Sequence, residues 1–133
     1  MSHPQSIFVP VSPAELLDRI TILQIKRERI DDDAKCENVK RELALLADVR
    51  AQHIASSDDL LQLTSDLKKV NEALWQIEDD IRRCEHDQDF GPQFIELARS
   101  VYFNNDRRYR LKVAINEMLG SELIEQKSYA DYT

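Results

Sequence analysis

Glycine and proline are scarce in this chain, with two and four among 133 residues. So few turn-formers exclude a fold of many short strands joined by tight turns. They also exclude a glycine-rich phosphate loop, since Gly91 and Gly120 are the only glycines. Cysteine is equally thin. Cys36 and Cys84 form no CxxC, and no His/Cys pair has zinc-ligand spacing. Reduced thiols are therefore expected, and no metal centre. His3, His53 and His86 are scattered and read as surface or boundary residues, and there is no ExxH di-metal spacing. No apolar run approaches the ~20 residues that span a bilayer. The first residues, Met-Ser-His-Pro-Gln-Ser, carry no basic segment and no long apolar core, so no secretory signal is expected and the expected location is the cytoplasm. Positive charge is in deficit, 18 basic against 25 acidic residues and a net charge of −7. That excludes nucleic-acid binding as the main task and argues against a generic anionic-membrane binder. Nothing forms a nucleophilic triad, and no cofactor is implied.

What is present is helical pattern. Charged residues make up 32% and hydrophobic residues 42%, a balance suited to soluble amphipathic helices. The clearest stretch runs from Leu60 to Cys84. Its apolar residues are Leu60, Leu63, Leu67, Val70, Leu74, Ile77, Ile81 and Cys84, spaced alternately by three and four. A strand alternates every two residues and cannot produce this seam. A helix carrying it is about 37 Å long at roughly 1.5 Å per residue, and it needs other segments to bury its stripe.

The remaining chain can be read around that helix. Residues 7 to 11, Ile-Phe-Val-Pro-Val, suit a short edge strand or an arm, and Pro10 forbids a central strand. Ser12-Pro13-Ala14-Glu15 opens a first helix: Ser12 caps, Pro13 fits the first helical position and Glu15 completes a capping box. That helix is predicted to run to about Ile30. Leu16, Ile20, Leu23 and Ile30 form its inner face, with Arg27 in the same stripe and Ile22 and Ile25 on the far side. A helix apolar on two sides is sandwiched between layers or used in a dimer contact. Asp31-Asp32-Asp33 separates it from a second helix over roughly 34–54, with a stripe of Cys36, Val39, Leu43, Leu46 and His53 broadened by Leu45 and Val49. Ser56 or Ser57 then caps the third helix. The second and third helices are thus predicted to form an antiparallel hairpin over residues 34–85, setting Leu46 opposite Leu67, Leu43 opposite Val70 and Cys36 opposite Ile77. Cys84 then lies roughly 10 Å beyond Cys36 along the axis, outside disulfide reach of about 7 Å. Gly91-Pro92 stops and restarts the chain. A last helical region follows to Leu119, ended by Gly120, with a seam of Phe94, Leu97, Val101, Asn104, Arg108, Leu111, Ile115 and Met118. Residues 121–133 form a tail, and 1–133 reads as a single helical domain.

Chemistry is sought where polar residues breach these seams. Arg27 breaches the first helix, and Asn104 and Arg108 breach the last. A buried guanidinium requires a partner. A carboxylate from Glu78, Asp79, Asp80 or Asp106 would make a structural pair. Without one, Arg27, Asn104 and Arg108, with Lys26 and Arg107 nearby, would form a pocket for an anionic small molecule. Alternatively, Asn104 or Asn105 caps a new helix and turns Arg108 outward. Glu78-Asp79-Asp80, Glu28 with Asp31, and Glu37 with Glu42 read as solvated faces. Trp75 lies beside the third helix's seam and, with Ile22 and Ile25, is a candidate interface residue.

Several stretches together resemble an uncharacterised family of short bacterial proteins. They are Ser12 through Lys26, Trp75 through Arg82, Phe94 through Tyr102, Asn105 through Arg108, Gly120-Ser121-Glu122-Leu123 and Lys127-Ser128-Tyr129. The resemblance implies an accessory role near sugar-transfer or surface-polysaccharide functions. The opening helix is also loosely similar to the start of a chorismate mutase, which would give Arg19, Lys26 and Arg27 a dicarboxylate to hold, although no complete motif follows. The expected fold is all-α and four-helix-bundle-like, a long hairpin flanked by a first helix and a last helical region. The expected function is a non-catalytic helical adaptor, a homodimer or partner of another protein. The alternative is a small-molecule binding protein or a small all-α enzyme with its site around Arg27, Asn104 and Arg108.

Overall fold

A computed structural model of the chain describes residues 6–131. His3 and the ends of the arm and tail lie outside the described residues. Four helices follow one another: α1 Pro13–Arg29, α2 Asp33–His53, α3 Asp58–His86 and α4 Pro92–Met118. The fold is all-α, and no strand occurs among the described residues. No helix among them is long and apolar enough to cross a membrane.

The helix ends follow local chemistry. The Ser12, Asp32 and Ser57 side chains accept from the backbone N–H groups of Glu15, Lys35 and Leu60. The expected capping box is only half made. Glu15 turns from Ser12 towards Arg19 and Lys112. The α1 N-terminus gains a different cap, since Asn116 of α4 accepts from the Ala14 N–H at 2.9 Å. The C-termini of α3 and α4 close in the same way. Ser121 N–H donates to the Asn116 carbonyl with Gly120 at φ +65°, and Asp89 N–H donates to the Cys84 carbonyl with Gln88 at φ +53°. Gln88 takes the left-handed turn that usually calls for glycine.

α4 is one unbroken helix. Asn104 does not cap a new one; its amide donates to the Ser100 carbonyl one turn back at 2.8 Å. Residues 6–12 form no strand, and Ile7 and Phe8 point into solvent.

α1 is the helix on which the others converge, packing against α2, α3 and α4. Its two apolar sides are thereby explained: Leu17 and Leu23 face the common core, and Ile25 is also buried. α3 packs chiefly against α4 and then against α1, while α2 packs on α1 and its backbone stays clear of α3. Leu43, Leu46 and Leu67 share one core cluster. The direct register expected between the second and third helices, such as Cys36 on Ile77, gives way to packing of each helix on α1. Leu60, Leu67 and Val70 are fully buried, but Leu74, Ile77 and Ile81 further along the seam are half-buried. Leu45, His53 and Met118, expected on inner stripes, are exposed. Cys36 and Cys84 are free thiols, the latter buried.

Candidate functional site

The polar centre of the molecule is Asp18, which is 1% exposed in the middle of α1. Its carboxylate meets α3 and α4 at once. Asn71 Nδ2 donates to Oδ1 at 2.8 Å, Arg108 Nε donates to Oδ1 at 3.1 Å, and Arg108 Nη2 donates to Oδ2. The guanidinium thus grips the carboxylate with two N–H groups, the strong geometry for this pair. Asn71 Nδ2 also donates to Thr21 Oγ1 at 2.9 Å, and Thr21 Oγ1 donates to the Asp18 carbonyl at 2.8 Å.

Lys112 extends the network one turn along α4. Its ammonium lies 2.8 Å from Glu15, 3.2 Å from Glu125 of the tail and 3.8 Å from Asp18. The hydrogen bond from Lys112 holds the Glu15 carboxyl below its ordinary pKa against the opposing effect of burial, and Arg19 assists. Burial works to lower Lys112, but Glu15, Asp18 and Glu125 outweigh it and hold the ammonium above its ordinary value. The bond to Asp18 likewise raises Arg108. Three carboxylates therefore face three cations once the exposed Arg19 on Glu15 is counted, and the charges balance in place.

Asn71 and Arg108 also line a groove of about 410 Å³ between α1, α3 and α4. Ile22 and Ile25 of α1, Leu74 and Trp75 of α3, and Val101 of α4 supply its apolar walls. Glu78, Asp79 and Asn105 complete its lining. α3 builds most of this surface by helical repetition: residues 71, 75 and 79 recur every four positions, as do 74 and 78. A second cleft of about 1030 Å³ shares Asn105 and lies between α4 and the extended tail, where Lys127 sits 5.1 Å from the centre of the Tyr109 ring.

The predicted anion pocket is not gathered in this arrangement. Arg108 pairs with Asp18, a partner on α1, rather than with Glu78, Asp79, Asp80 or Asp106. Arg27 and Arg107 are exposed, Lys26 is half-buried, and Asn104 is committed to Ser100. Of these five, only Arg108 lines the groove. Arg19, the other candidate cation on the first helix, is exposed and pairs with Glu15. The three residues expected at an interface do meet: Ile22, Ile25 and Trp75 line the one groove. Ile25, however, is buried inside its own chain. Sequence reasoning missed Asp18, Asn71 and Lys112. Their available signal was polarity at seam-adjacent positions: Asn71 directly follows Val70 of the α3 seam, and Lys112 directly follows Leu111 of the α4 seam. Among the described residues no group of three His, Cys, Asp or Glu side chains is placed to hold a metal ion.

A family model matches residues 7–132, nearly the whole chain. The chain belongs to the DUF6165 family. It is a family of unknown function. The DUF6165 match takes in the Asp18 network, the groove and most of the tail together. Neither the curated proteins nor the solved structures contain a match.

Two predictions follow from the network. Asp18→Ala strands Arg108 and should cost about 3–5 kcal/mol in urea unfolding. Adding Arg108→Met should recover part of that loss, and strictly additive effects in the double-mutant cycle would show that the two are not coupled. The second concerns acid. A carboxyl whose folded pKa is depressed stabilises fully above its unfolded value and loses that contribution as pH falls through the folded one. The parent should therefore lose more stability than Glu15→Gln between about pH 5 and pH 3, and equal losses would remove Glu15 from the acid response.

Proposed function

We propose that this protein is a non-catalytic helical accessory protein that acts by binding, with the α1–α3–α4 groove as its ligand site. The observation that carries this reading is the wall of Ile22, Leu74, Trp75 and Val101, apolar side chains left open above a charge network that is satisfied internally. Apolar surface around a few convergent polar groups is the usual make-up of a ligand site. The groups best suited to acid–base work, Asp18, Glu15 and Lys112, are held in mutual salt bridges, and Asp18 is sealed from solvent. That supports a holding role rather than a catalytic one. The sequence resemblance would set such a module beside sugar-transfer or surface-polysaccharide machinery in a bacterial cytoplasm.

Trp75 is the only tryptophan, so emission reports on the groove directly. A panel of amines, carboxylates, sugars and nucleotide sugars should contain a compound that shifts Trp75 emission saturably. At about 100 times its Kd it should add roughly 2.7 kcal/mol of stability, a rise of several degrees in Tm. Val101→Phe, which fills the groove, should abolish both effects. A panel with no such compound would overturn the reading.

A second surface supports the adaptor reading and a homodimer. Ile7 and Phe8 are 87% and 92% exposed, and Pro10 and Val11 share a shallow pocket with Leu123 and Ile124 of the tail. A strip of exposed apolar side chains marks an interaction surface. Sedimentation should find the parent dimeric and Phe8→Asp monomeric. A monomeric parent at all concentrations would sink this second reading.

A further inference from the structure

The polar groups around the groove choose its ligand. Asn71 is 6% exposed, and its Nδ2 must face α1, because only a donor can meet the Asp18 carboxylate. That orientation leaves Oδ1, which makes no hydrogen bond, as the atom the amide offers to the groove. No fully buried side-chain polar atom among the described residues lacks a partner, so this oxygen is reachable from the groove, where a ligand can supply its donor. Two turns further along α3, about 12 Å by helical rise, stands a pair of carboxylates. Among the described residues Asp79 has no ion pair, and Glu78 shares only Oε1 with the exposed Arg82. Between this acceptor and the pair lies Trp75, one turn from Asn71 and one from Asp79.

The nearby cations are already spent. Arg108 gives Nε and Nη2 to Asp18, and Lys112 is shared among Glu15, Asp18 and Glu125. An anion entering the groove would meet Asp79 and the free Oε2 of Glu78, while Arg108 and Arg82 are already bonded to carboxylates. A cation would meet the two carboxylates beside the Trp75 ring, and both carboxylates attract it. Apolar side chains on all three helices suit a hydrocarbon body behind the charge.

We propose that the groove binds an amphipathic organic amine. Its ammonium sits at Glu78 and Asp79, its apolar body lies along Trp75 and Leu74, and a donor at its inner end reaches Asn71 Oδ1. This rests on the reading of the groove as the ligand site and adds the sign and shape of the ligand. It also reverses the anion class drawn from the seam arginines.

The test uses three probes that share one body and differ in the head: 2-phenylethylammonium, phenylacetate and 2-phenylethanol. Each is titrated against Trp75 emission in the full chain. The ammonium should bind tightest and phenylacetate weakest. Because both side chains are exposed, the double substitution Glu78→Gln/Asp79→Asn should leave Tm nearly unchanged. It should weaken the ammonium about three- to tenfold and leave 2-phenylethanol unaffected. Phenylacetate or the alcohol binding as tightly as the ammonium, or an unchanged ammonium Kd in the double variant, would overturn the amine class and keep the groove. Silence of Trp75 towards all three probes, with no shift in Tm, would overturn the groove reading as well.

Discussion

A carboxylate buried in the middle of a helix must find donors, and Asp18 finds them on two other helices. That requirement organises the molecule. Leucine contacts permit one helix to slide along another with small changes in energy, because apolar attraction has no direction. The bidentate hold of Arg108 and the single donor of Asn71 have direction and range, so they fix where α3 and α4 meet α1. Leaving any of these groups unpaired inside the protein costs more than the pairing gains, which makes the arrangement specific rather than merely stable.

The groove is a consequence of this polar tie. Asn71 and Arg108 each present one side to Asp18 and the other to the cavity, so the structural network also forms the groove's floor. α3 contributes to both because its faces differ. Leu60, Leu67 and Val70 go to the core, while Leu74 and Trp75 stay partly open. The acidic rim follows on the next turn. A single helix therefore carries core, floor, wall and rim in succession, and a ligand lying along it would contact all but the core.

The same geometry explains which readings of the sequence held. The three-four spacing from Leu60 to Cys84 and the Ser12-Pro13 start marked α3 and α1 within a few residues, because periodicity and capping are local. Gly120 ended α4 as expected for the same reason. The breaches at Asn104 and Arg108 were visible, but their meaning was not. Asn104 turned to its own helix, and Arg108 turned to a residue 90 positions earlier in the chain. Glu15 looked like half of a capping box and instead became a partner of Lys112, 97 positions away.

Local pattern alone was enough to show that this chain is all-helical, where its first three helices start and stop, and most of the apolar face of each; it left open whether the last region was one helix or two. Those properties depend on residues three or four apart, and the periodic pattern states them directly. Helix packing set α1 as the shared helix, gave Arg108 its partner in Asp18, and brought Asn71, Trp75 and Asp79 into one groove with Ile22 and Val101. Those outcomes depend on how helices cross, and a crossing is chosen by directional polar contacts between segments that no local spacing records.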